Sequence, residues 1–196
     1  LTLSNAPKIL RSELKENGLH GVRLPAMSLS RRPDLWEMAV ECKAVISVLG
    51  LQPHDLGQVE RLRAFLEKYP TARLKIEHLG YPEPSEPPPY ATYQRVMDLS
   101  QFKGVFLQFS SPYTQSKKAY PYEDLLPFIE MAKQHFAPNR IVWGSCYPPV
   151  EKYMTYAQSL AWFGTLGLKD THRDNALWQN AVRLMDPRKK KVVAET

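Results

Sequence analysis

Residues able to do chemistry stand at or just past the ends of short apolar runs: Arg23 in GVRL, His78 in LKIEH, Gln108 and Ser110 in GVFLQFSS, and Cys146 in WGSCYPP. An arginine so placed orients an anionic substrate through its planar guanidinium fork, or serves as an ion-pair partner beneath a rim. His78 follows Glu77 at the end of an apolar run and reads either as the group that activates a nearby thiol or as a satisfied rim residue. Cys146 becomes a nucleophile or ligand if His78 or a metal activates its thiol. Most free cysteines, by contrast, behave as small buried apolar residues. His20, His54, His135 and His172 fall in loops or at helix ends without partner spacing and read as structural.

These residues can act together only if the chain brings their runs side by side. Residues 21–24, 44–49, 74–78, 104–109 and 140–143 read as strands, and residues 1–3 as the end of another. Helix-spaced apolar residues fill 7–17, 33–42, 55–69, 90–101 and 122–136, the third behind an Asp55 cap. Residues 151–185 predict two further helices, broken near Gly164 and Gly167. The strands recur at intervals of roughly 20 to 36 residues, the spacing of βα units. Apolar strands each followed by a helix should lie parallel beneath those helices. A (β/α) barrel and an open doubly wound sheet both satisfy this, and both gather function at the carboxyl ends of the strands. Residues 81–90, YPEPSEPPPY, hold five of the 17 prolines and read as a stiff connection beside that face.

Composition bounds the rest. The 196 residues carry 26 Lys and Arg against 20 Asp and Glu, a net charge of +6, with 43% hydrophobic and 23% charged residues. This is the make-up of one folded domain and excludes disordered, collagen-like and coiled-coil chains. Four of the positive charges lie in Arg188 to Lys191, so the division is a domain over residues 1–186 and a basic tail over 187–196. No basic segment is interleaved with stacking aromatics, and nucleic acid is not expected as a partner. No run approaches ~18 apolar residues, so no membrane span is expected and the protein should be soluble. Cys42 and Cys146 are too few and too far apart for a disulfide framework. They suit a reducing compartment, cytoplasm or organelle interior.

Five segments in order then carry a resemblance: LHGVRL at 19–24, FLEKYPTARLKIEHLG at 65–80, FKGVFLQFSS at 102–111, YPYEDLLPFIEMAKQHFAPNRIVWGSCYP at 120–148 and NALWQNAVRLM at 175–185. Together the sequence resembles the amidohydrolase-related family, which includes decarboxylases and lactonases of the pyrone-dicarboxylate type. The resemblance implies a TIM-barrel-like (β/α) fold of α/β class. It also implies an incomplete one, lacking the first two strands, since a full barrel needs about 250 residues and eight strands. It places His78 at the family's sixth-strand histidine, a catalytic and metal-binding position, and gives Arg23 the family's G-x-R pattern, read as substrate-binding.

The departures are as specific. The family's first-strand His-x-His occurs nowhere in these residues. Gln108 stands where the family commonly has lysine. Where the family reads G-S-D-x-P, with an aspartate that takes a proton from the attacking water, this chain reads Gly144-Ser145-Cys146-Tyr147-Pro148. Two readings follow. In the first, the domain is catalytically degenerate, Cys146 and His78 are vestiges, and the chain is a structural or interaction subunit. In the second, it is an active hydrolase, decarboxylase or lactonase, taking a small carboxylate or lactone and completed by an N-terminal segment. No cofactor is expected from these residues alone; zinc or another divalent metal would need ligands from that segment. Open strand edges are costly, so a protein partner or homologous subunit is expected over the open side of the barrel.

Overall fold

The computed structural model describes residues 4–185. Five parallel strands form one sheet: β1 (Gly21–Pro25), β2 (Val45–Leu49), β3 (Arg73–Ile76), β4 (Val105–Phe109) and β5 (Ile141–Trp143). The strands lie side by side in chain order. An open doubly wound sheet would reverse direction at a switch point, whereas this order is an arc of a barrel. The fold is α/β and TIM-barrel-like, and the described arc is partial. Five of the strand expectations are met; residues 1–3 lie outside the described residues, as does the basic tail expected at 187–196.

Helices connect the strands: α1 (Ala6–Lys15), α2 (Ser28–Arg31), α3 (Pro33–Glu41), α4 (Leu56–Lys68), α5 (Ala91–Met97), α6 (Leu126–His135), α7 (Tyr156–Gly164), α8 (Asp170–Asp174) and α9 (Asn180–Met185). Local chemistry sets their starts. At α4 the Gln58 backbone N–H donates to the Asp55 carboxylate at 3.2 Å, so the expected cap is present. At α7 the Thr155 hydroxyl accepts from the Gln158 N–H while the Gln158 side chain accepts from the Thr155 N–H, a reciprocal capping box. The helix broken at Gly164 and Gly167 resumes at Asp170, and α8 runs through a π-helical stretch (Asn175–Gln179) into α9. No helix among the described residues is long and apolar enough to cross a membrane.

Alternation along the strands divides the sheet into two faces. Leu24, Ile46, Val48, Leu74, Ile76, Val105, Leu107 and Phe109 are buried under the helices with Trp36, Tyr93, Phe128 and Phe163. Gly21, Arg23, Ser47, Arg73, Lys75, Phe106 and Gln108 occupy the other face, which a closed barrel would turn into its interior, and are only partly covered. Packing between neighbouring strands is close enough to require glycine at Gly104. A Cβ there would fall inside van der Waals contact with the Ala72 carbonyl oxygen, a backbone atom that cannot swing away. At exposed Gly164, at the end of α7, a Cβ would meet nothing within 4 Å.

The two sites predict opposite outcomes in thermal unfolding. Gly104→Ala should cost about 2 kcal/mol through forced displacement of the β3–β4 ladder. Gly164→Ala should be neutral or raise stability by about 0.5 kcal/mol through the unfolded chain's lost freedom.

Candidate functional site

The carboxyl ends of the strands carry the polar groups, and one buried carboxylate organises them. Glu77, directly after β3, is 3% exposed. Arg23 of β1 donates to it from Nε at 3.1 Å to each carboxylate oxygen, and from Nη2 at 2.5 Å to Oε2. The Ser47 hydroxyl of β2 donates a short hydrogen bond to Oε1. Lys75 of β3 brings Nζ to 3.7 Å from Oε1. Burial opposes ionisation of Glu77, but hydrogen bonds from Arg23 and Ser47 and the charge of Lys75 outweigh it, holding the carboxyl below its usual range. Burial likewise holds the Lys75 ammonium below its ordinary value, against the pull of Glu77.

His78 lies beside this network. Its Nε2 is 3.7 Å from Glu77 Oε2, and its Nδ1 is 2.9 Å from Ser110 Oγ and 3.7 Å from Cys146 Sγ. The Tyr81 ring meets the imidazole edge to face with centroids 5.4 Å apart. The Tyr81 hydroxyl accepts from the Gly50 N–H at 2.7 Å, and burial pushes its pKa up to about 12. Burial also lowers the His78 pKa in spite of the nearby Glu77 charge, which favours the neutral imidazole. Gln108 lies against β5, where a Cβ at Gly144 would collide with its side-chain amide.

Backbone geometry explains why the strand ends converge. The chain leaves β2 at Gly50 (φ 64°), β3 at His78 (φ 50°), β4 at Ser111 (φ 48°) and β5 at Cys146 (φ 54°), each in the left-handed region. Such a residue turns the chain sharply out of the sheet. Below the mouth, the open inner face borders a cavity of about 650 Å³ lined by Arg23, Ser47 and Lys75 with Val182 and Met185 of α9.

Of the residues singled out in the sequence, His78, Ser110 and Cys146 meet directly, although 68 positions separate His78 from Cys146. Arg23 reaches His78 only through Glu77, as the ion-pair partner that was one of its two readings. Sequence reasoning passed over Glu77, Lys75, Ser47 and Tyr81. The signal for the first two was the alternation in LKIEH, which puts Lys75 and Glu77 on one face and Leu74 and Ile76 on the other.

A metal ion finds no complete donor set. Among the described residues no three His, Cys, Asp or Glu side chains are placed to share one. Cys146 and His78 supply two soft donors, but both oxygens of Glu77 are engaged by Arg23 and Ser47. A structural or catalytic zinc takes at least three protein ligands.

Comparison with known proteins adds the family. The amidohydrolase family model matches residues 2–186. The chain belongs to that family. It is 28% identical over 176 residues to the L-fucono-1,5-lactonase of Burkholderia ambifaria, a match covering 83% of this chain and 58% of that protein. The chain thus spans under two thirds of the lactonase's length. Among solved structures it resembles an amidohydrolase from Burkholderia multivorans with bound HEPES, with a TM-score of 0.75 and 18% identity over 92% of this chain and 70% of the other. It also resembles the 2,6-dihydroxybenzoate decarboxylase from Rhizobium, with a TM-score of 0.65 and 14% identity over 93% and 67%. At these identities the structural likeness is one of fold.

The Glu77 network makes a prediction about this amidohydrolase-family chain. Glu77→Gln should lower stability by about 2 kcal/mol at neutral pH, below the full value of a buried pair because Arg23 is half exposed. Because the folded carboxyl is held below its ordinary value, this contribution is complete above the unfolded glutamate's pKa. It is lost as pH falls through the depressed folded value. Urea unfolding of both proteins across pH 3 to 7 should show the difference shrinking on the acid side.

Proposed function

We propose that this amidohydrolase-family domain is catalytically degenerate toward the family's hydrolysis and serves as a structural or interaction subunit. One observation carries the reading: among the described residues the mouth has no carboxylate free to take a proton from water. Its buried carboxylate, Glu77, is engaged on both oxygens by Arg23 and Ser47. The position the family fills with aspartate holds Cys146, whose sulfur faces His78 rather than a metal-type cluster. A thiol is a poor substitute for a carboxylate that shuttles protons from bound water. The partly covered inner face supports the interaction role, since an open sheet and cavity favour a protein partner or homologous subunit laid over them.

A second reading has its own support. The shared length with a sugar lactonase, 58% of that protein, and a cavity lined by Arg23 and Lys75 favour a hydrolase, decarboxylase or lactonase completed by residues beyond these. Zinc or another divalent metal would then need ligands from those residues.

Elemental analysis and turnover assays on lactones and carboxylates, with Cys146→Asp measured beside the unmodified protein, separate the two. Under the structural reading the unmodified full-length protein carries no stoichiometric metal and does not turn over. Metal-dependent turnover in it would overturn that reading. Sedimentation of the full-length protein should show an assembly larger than one chain; a stable monomer would remove the partner.

A further inference from the structure

We propose that Cys146 is a nucleophile, with His78 as its base, and that it captures the acyl group of a small lactone or activated ester as a thioester. This chemistry goes beyond the structural reading and uses none of the water-activating machinery whose loss that reading rests on. It is a reaction of the mouth's own thiol.

The geometry follows the logic of a nucleophile, a base and a group that orients the base. Cys146 Sγ lies 3.7 Å from His78 Nδ1, within reach of an S–H···N hydrogen bond. On the other side of the ring, Glu77 Oε2 lies 3.7 Å from Nε2. That carboxylate favours the tautomer with the proton on Nε2, which leaves the Nδ1 lone pair facing the thiol. Ser110 Oγ, 2.9 Å from Nδ1, competes with the thiol for that lone pair; its hydroxyl rotates away as Nδ1 takes the thiol proton and then accepts from the protonated ring. Glu77 cannot drift, because Arg23 and Ser47 hold it, and Tyr81 braces the ring.

Presentation supports the same role. Cys146 is partly exposed and free of any disulfide, three residues past the end of β5 and at φ 54°. A left-handed turn leaving a parallel strand is also how hydrolases of another fold lift a nucleophilic side chain clear of the sheet; the parallel is one of geometry. Behind the imidazole, Arg23 and Lys75 are paired with the same Glu77 that lies beside Nε2. Both cations also line the inner-face cavity below the mouth.

In the reaction the thiol proton passes to Nδ1 as sulfur attacks the carbonyl carbon. The S–C bond forms, the lactone C–O bond breaks, and the proton moves from Nδ1 to the departing alkoxide oxygen. A lactone therefore adds its whole mass, leaving a thioester and a free hydroxyl. An aryl ester leaves its acyl group and releases one phenol.

The test uses the full-length protein with p-nitrophenyl acetate and glucono-1,5-lactone, read by nitrophenol burst, intact mass and peptide mapping. Cys146→Ser, His78→Ala and the control Cys42→Ser are taken through the same steps, each checked for native circular dichroism. The expected result is one adduct per chain on Cys146, released by hydroxylamine and kept in Cys42→Ser. It should be lost in Cys146→Ser and formed at least tenfold more slowly in His78→Ala. Equal labelling of Cys42 and Cys146, an unchanged rate in folded His78→Ala, or no adduct on a thiol that titrates as free would each overturn the proposal. Lactone turnover that stops with a chelator but persists in Cys146→Ser would instead overturn the structural reading, with Cys146 labelling scored separately.

Discussion

The inner face of the arc depends on a buried carboxylate held from three strands. Removing a charged carboxylate from water costs several kcal/mol unless other groups replace the lost hydration. Around Glu77 the replacement comes from β1 through Arg23, β2 through Ser47 and its own strand through Lys75. The network therefore works as a polar clamp across β1, β2 and β3, on the face that is only partly covered. Apolar packing holds the opposite face, where Leu24, Ile46, Val48, Leu74 and Ile76 are almost completely buried. Backbone ladders alone would leave the inner face free to twist, and the clamp fixes the register of the groups at the mouth.

That same clamp limits the chemistry. A general base needs a lone pair directed at the proton it is to remove, and Glu77 has directed its oxygens at Arg23 and Ser47. Structure and catalysis compete for one side chain, and at Glu77 structure has it. What survives is indirect. A fixed negative charge beside His78 Nε2 favours the proton on that nitrogen, leaving Nδ1, the ring nitrogen that faces Ser110 and Cys146, as the acceptor. The likeness to a lactonase and a decarboxylase is one of family and fold, and on such a scaffold chemistry is carried by the groups at the mouth.

The outer layer was legible in the sequence because each helix and strand repeats its apolar residues at its own period. Asp55 ahead of α4 and the glycines at 164 and 167 marked boundaries that the structure keeps. The short α2 was missed because four residues are too few to show a period. The inner face was harder to read. LKIEH looks like an apolar run ending in a histidine, yet it alternates, and its charged members face a space that only a curved sheet creates. Lys75 and Glu77 could be assigned to that space only once the strand order was known. Arg23 was ambiguous for the same reason: its partner lies 54 residues away on a strand that is not its neighbour.

Left-handed residues at four strand ends complete the account. For a residue other than glycine this conformation costs roughly 1–2 kcal/mol, and His78, Ser111 and Cys146 all adopt it. Such turns persist only where surrounding structure over-determines the backbone, and the residues flanking two of them, Leu79 and Ser110, are almost completely buried. The backbone thus presents a side chain at the β5 end whatever that side chain is. A carboxylate there would serve one chemistry and a thiol serves another, without any change in the fold that carries them. In the proposed chemistry it is the identity of residue 146, rather than the barrel, that sets what this mouth can do.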